Sequence, residues 1–119
     1  MGYYMNQQDS DFRIRSKNVS SALEALRQSE NGASLMGVNT LSDALQIYGF
    51  TVTSDENGDI TDIYFEYDKL RDQEEMLGII APYVQDGSFL QMIGADDSMW
   101  RWVFRDQKLE TIFPKIIWE

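Results

Sequence analysis

Four arginines are spaced so that a β-strand would carry them to one side of a sheet. In Phe12-Arg13-Ile14-Arg15 and in Met99-Trp100-Arg101-Trp102-Val103-Phe104-Arg105 the residue types alternate with period two, so a strand through either segment buries one set and exposes the other. Arg13, Arg15, Arg101 and Arg105 would then make a basic island on an acidic chain. A guanidinium offers a planar fork of donors that meets a carboxylate or phosphate with two hydrogen bonds. The chemistry implied is capture of an anionic small molecule or an acidic peptide. The plainer alternative is cross-strand pairing with acidic residues such as Glu66 or Glu110, worth about 0.2–1 kcal/mol per pair.

The opposite charge is densest over residues 55–75, where Asp55, Glu56, Asp59, Asp62, Glu66, Asp68, Asp72, Glu74 and Glu75 are opposed only by Lys69 and Arg71. Asp55, Glu56, Asp59, Asp62 and Glu66 are the candidate surface for a basic protein partner. Such a surface can mimic a phosphate track, or meet a basic toxin or nuclease as an immunity protein would. A solvated hairpin followed by a charged helix start accounts for the same residues without a partner. Asp55-Glu56-Asn57-Gly58-Asp59 has a superficial likeness to a Ca²⁺ loop, but its glycine comes two positions early and no glutamate follows at the distance of a bidentate ligand. A hairpin turn explains it better, and no metal site is expected.

The aromatic strand has two readings as well. Trp100, Trp102 and Phe104 share one side, either as core beneath the helices or as the lining of a groove for an aromatic or extended ligand, since Trp and Arg are enriched at binding hot spots. Aromatics flanked by basic residues also occur on RNA-binding sheets, but a net charge of −10 opposes binding to a phosphate backbone.

Composition narrows the chemistry further. The 119 residues contain no histidine and no cysteine, which removes Ser-His-Asp and Cys-His catalysis, thiolate chemistry, disulfides and the usual zinc sites. Paired carboxylates are the catalytic chemistry that remains. Asp96 and Asp97 are adjacent, but they lie in a turn where nothing excludes water, and no phosphate-binding loop or nucleophile elbow is present. The expectation is a protein that is not an enzyme and needs no cofactor. No apolar run approaches the ~20 residues that cross a bilayer, and the start lacks a secretory pattern, so the expected location is cytoplasmic, away from membranes and nucleic acid. A homodimer through the open sheet or through Ile116-Ile117-Trp118 is a further expectation.

The elements that must position these residues follow from periodicity. A strand is predicted at 12–15, with the preceding tyrosines and Met5 as its extension or partner. Asn18 is the predicted cap of a helix carrying Val19, Leu23 and Leu26. Thr40 is the predicted cap of a second helix, on Leu41, Ala44, Leu45 and Tyr48, ended by Gly49. Asn57-Gly58 marks a hairpin from Thr51 to Phe65, with Ile63, Phe65 and Tyr67 on one face of its second arm. Asp72 caps a third helix on Met76, Ile79, Ile80 and Tyr83, with Pro82 in its last turn. Strands at 88–93, 99–105 and 108–113 complete a meander, with a short edge strand at 115–118.

The order β-α-α-β-β-α-β-β-β predicts one α+β domain, a mostly antiparallel sheet with helices on one face. Gly49-Phe50-Thr51-Val52 with Ile63-Tyr64-Phe65 is echoed by Gly87-Ser88-Phe89-Leu90 with Trp102-Val103-Phe104. The echo is either a duplication, giving two ferredoxin-like helix-hairpin halves at 12–68 and 69–119, or a coincidence of residue classes.

The opening Met1-Gly2-Tyr3-Tyr4 with Asp9-Ser10-x-Phe12-x-Ile14, the segment Ile79-Ile80-Ala81-Pro82-Tyr83-Val84-x-Asp86-Gly87-Ser88, and the ending Trp100-Arg101-Trp102-Val103-Phe104 with Pro114-x-x-x-Trp118-Glu119 resemble small uncharacterised proteins of bacterial and phage genomes. That resemblance implies an accessory or mobile-element context and carries over no catalytic or binding residue. The functional expectation is an acidic protein-interaction module, inhibitor or immunity-like, with an anionic-ligand domain using the arginines as the alternative.

Overall fold

A computed structural model describes residues 3–29, 35, 37–66, 68–115 and 118. The strands are β1 (Tyr4–Asp11), β2 (Phe50–Ser54), β3 (Ile60–Phe65), β4 (Asp68–Lys69), β5 (Phe89–Gly94), β6 (Met99–Arg105) and β7 (Lys108–Ile112). The helices are α1 (Ser16–Arg27), α2 (Leu41–Ile47) and α3 (Gln73–Ile80), the last running into a 3₁₀ turn at Ala81–Tyr83. Five strands form an antiparallel sheet in the order β4-β1-β5-β6-β7, and β2-β3 is a separate hairpin. This is the single α+β domain that the sequence predicts.

Local signals explain most boundaries. The Thr40 hydroxyl accepts a hydrogen bond from Asp43 N at 3.1 Å, supplying a partner to one of the donors that a helix start leaves open. Gly49 ends this region at φ +95°, and a Cβ there would also stand 2.7 Å from the Phe65 ring. Pro82 converts the end of α3 into the 3₁₀ turn. Asp106 and Gln107, at φ 55° and 64°, form the two-residue turn whose twist suits a tight hairpin.

The core lies between the sheet and its helices. Leu90 is opposite Trp102, and Met92 is opposite Trp100. These four side chains and Phe104 are buried, together with Met5 and Phe12. Phe12 meets Phe104 edge-on, with ring centroids 5.5 Å apart. The α1 side chains Ala22, Leu23 and Leu26 and the α3 side chains Met76, Leu77 and Ile80 cover this layer.

The first strand lies N-terminal to its predicted place. Residues 12–15 are an extended link after β1, joined to β3 through one reciprocal bridge, Ile14 with Ile60, at 2.9 Å in each direction. Their alternation holds, since Phe12 and Ile14 are buried while Arg15 is exposed. Asn18 lies inside α1, which starts at Ser16. Asp72 precedes α3 as predicted, but its side chain makes no capping hydrogen bond. Tyr67, Ile116 and Ile117 lie outside the described residues, while Lys115 and Trp118, the two ends of the predicted 115–118 strand, are not in a strand. The helix-hairpin unit does occur twice, as α2-β2-β3 and α3-β5-β6, and its two hairpins enter different sheets.

Side chains suture those two sheets. Gln7 is buried in β1, where its amide donates to Ile63 O at 2.8 Å and accepts from Phe65 N at 3.0 Å. Ser10 Oγ donates to Asp62 at 2.9 Å. With the Ile14–Ile60 bridge, these contacts run β3 antiparallel along β1 and its extension, with side chains standing in for a strand ladder.

Candidate functional site

The two charged surfaces read from the sequence meet at one point. Asp59 closes the β2-β3 turn and reaches Arg13 Nη1 with Oδ2 at 2.7 Å, while its Oδ1 accepts from Ser16 N at 2.8 Å. Arg15 Nη1 is 4.0 Å from the same carboxylate, and Arg13 is also 3.8 Å from Asp55. The Ser16 N–H, followed by the Arg13 guanidinium and the charge of Arg15, holds the Asp59 carboxyl below its usual range, against the opposing effect of desolvation. Because the residue before α1, Arg15, makes no side-chain cap, Asp59 supplies that cap from a distant loop.

The remaining candidates are dispersed. Asp55 accepts from Asn57 N and Asp59 N at 3.0 and 3.1 Å inside the turn, and Asp62 takes the Ser10 hydroxyl. Glu56 and Glu66 are exposed. Arg101 donates to Gln91 Oε1 at 2.7 Å and lies 4.9 Å from the Phe89 ring centroid. Arg105 pairs with Glu110 at 3.6 Å, one of the cross-strand partners expected for it. The structure thus brings Arg13 and Arg15 together on Asp59, and gives Arg101 and Arg105 separate partners. Among the described residues no group of three acidic side chains is placed to hold a metal ion.

The aromatic strand also lines a cleft. Trp102 and Phe104 lie in the core, while Trp100, at the open end of β6, forms the base of a cleft of about 330 Å³. Tyr3, Leu70, Trp102 and Phe113 supply its other apolar walls, and Arg71, Glu74, Ser98 and Thr111 its polar ones. The rings of Trp100 and Trp102 meet edge-on at 5.8 Å, and Tyr3 lies 6.3 Å from Trp100. Glu74, in the first turn of α3, reaches back over the sheet: its Oε1 accepts from Trp102 Nε1 at 3.0 Å and from Thr111 Oγ1 at 2.7 Å.

Tyr3 is fixed at the rim by donating its hydroxyl to Asp96. That bond holds the Asp96 carboxyl below its usual range and raises the Tyr3 phenol above its own. The ring fits because Gly94 has no side chain, since a Cβ there would stand 1.5 Å from the Tyr3 hydroxyl. The sequence offered both core and groove for this strand, and Trp100 and Trp102 each belong to the buried cluster and line the cleft as well. Glu74 was legible only as a helix-start carboxylate, because its contact with Trp102 depends on how α3 crosses the sheet. Comparison with family models, curated proteins and solved structures gives no match to this chain.

Proposed function

We propose that this protein is a non-enzymatic interaction module, an inhibitor or immunity-like accessory protein of a bacterium or phage, that engages a basic protein in the cytoplasm. The observation that carries the reading is the set of carboxylates left over once the fold has used its own. Asp55, Asp59 and Asp62 are occupied within the hairpin and its sutures, and Asp68 pairs with Arg71 at 3.3 Å. Glu56, Glu66, Asp72 and Glu75 are exposed, and none of them pairs with a cation among the described residues. With a net charge of −10, this surface favours a basic partner and speeds its encounter. The arginine alternative has less support, because Arg13 and Arg15 already share a carboxylate.

The test is capture from host lysate at low salt and again at about 0.5 M salt, where the screening length falls to a few ångströms. The expected result is a basic protein retained at low salt, released at high salt, and lost from a Glu56→Lys, Glu66→Lys double variant. Capture that ignores both salt and charge reversal would reject the reading.

A further inference from the structure

Resting on that reading, we infer that the aromatic cleft is a socket for one arginine side chain of the basic partner. The cleft volume of about 330 Å³ lies at the small end of the ~300–1,000 Å³ typical of ligand pockets. It suits a single side chain rather than a nucleotide or an extended ligand. Its walls are indole and phenyl rings, whose faces attract cations. Arg71, the basic residue in the lining, already has its charge met by Asp68. Tyr3 likewise directs its hydroxyl to Asp96.

Glu74 is different. Both of its hydrogen bonds fall on Oε1, and among the described residues Oε2 accepts none. A carboxylate anchored through one oxygen, with the other left without a hydrogen bond beside an edge-on pair of aromatic rings, is complementary to a guanidinium. The planar cation stacks on the ring face while its N–H edge meets the carboxylate. A lysine ammonium would gain the charge but lose the stacking and the fork. Phe113, 64% exposed, lies at the rim, where it would cover the aliphatic stem.

The test is an NMR titration of the full chain with acetyl-Gly-Arg-Gly-amide, following the tryptophan indole N–H resonances. The expected result is saturable shifts for Trp100 and Trp102 at millimolar affinity, weaker for the lysine peptide and absent for the glutamate peptide. Glu74→Gln keeps an oxygen for Trp102 and Thr111 but removes the charge, and should weaken binding about tenfold, as expected for loss of a charge-assisted contact. Phe113→Ala alters only the exposed rim, and should weaken it several-fold with the fold intact.

Silent indole resonances, equal affinity in Glu74→Gln, or stronger shifts with the glutamate peptide would overturn the inference. So would indole shifts that depend on protein concentration alone, which would place a second copy of the chain in the cleft. The two proposals fail separately. Charge-independent capture from lysate rejects the interaction reading, whereas salt-sensitive capture that survives Glu74→Gln, with no peptide response, rejects the socket alone.

Discussion

At Asp59 a single carboxylate meets the Ser16 backbone with one oxygen and the Arg13 guanidinium with the other, so its charge belongs to the fold rather than to a free surface. The consequence for pH has a definite sign. The folded-state pKa is depressed, so the stability this group contributes is whole above the unfolded value of about 3.9 and is lost as pH falls toward the folded one. Asp59→Asn retains an oxygen for Ser16 N but removes the ion pair. Thermal melts from pH 7 down to pH 2 should show a shallower acid loss for the variant than for the wild type below about pH 4. Identical slopes would show that Asp59 does not stabilise the folded state through its charge.

The elements show where sequence reasoning reaches and where it stops. β6 and the β6-β7 turn were readable because alternation and a two-residue turn are local properties, and the structure reproduces Met99–Arg105. β1 was misplaced because Tyr4–Asp11 is mostly Asn, Gln, Asp and Ser, residue types with little strand preference. Its strand conformation comes from pairing with β5, with a register shift between Gln7 and Asp9. The same tertiary origin hid Gln7, whose buried amide has no signature in periodicity. The arginine face illustrates a related limit: alternation gave the exposure of Arg15, Arg101 and Arg105, and cross-strand pairing gave Glu110 for Arg105, but neither gave Gln91 for Arg101 or Asp59 for Arg13 and Arg15.

Gln7→Leu should leave the Phe65 N–H and Ile63 C=O buried without partners, costing about 1–3 kcal/mol for each. Urea melts should therefore place it well below both the wild type and Gln8→Leu, a neighbouring change at an exposed position. Equal midpoints for the two variants would show that the suture contributes little.

For the molecule as a whole, the question is whether two sheets make one cooperative unit. Among the described residues the β2-β3 hairpin shares no strand ladder with the five-stranded sheet, which taken alone would let it open independently. Against this stand the Gln7 amide, the Ser10–Asp62 bond, the Ile14–Ile60 bridge and the Asp59 contacts, which tie the hairpin to β1 and α1 along its length. The hairpin also places Phe50, Ile63 and Phe65 in the same buried cluster as Leu26, Leu45 and Met76. Opening it would expose that cluster, so its stability should equal that of the whole domain. The described tryptophans lie on or just after the five-stranded sheet, at Trp100, Trp102 and Trp118, whereas Val52 and Ile63 report on the hairpin. Denaturant unfolding followed by tryptophan fluorescence and by the Val52 and Ile63 amide resonances should give one shared midpoint, as two-state behaviour requires. An earlier transition in those amides would divide the molecule at its sutures and make the hairpin a separately opening unit.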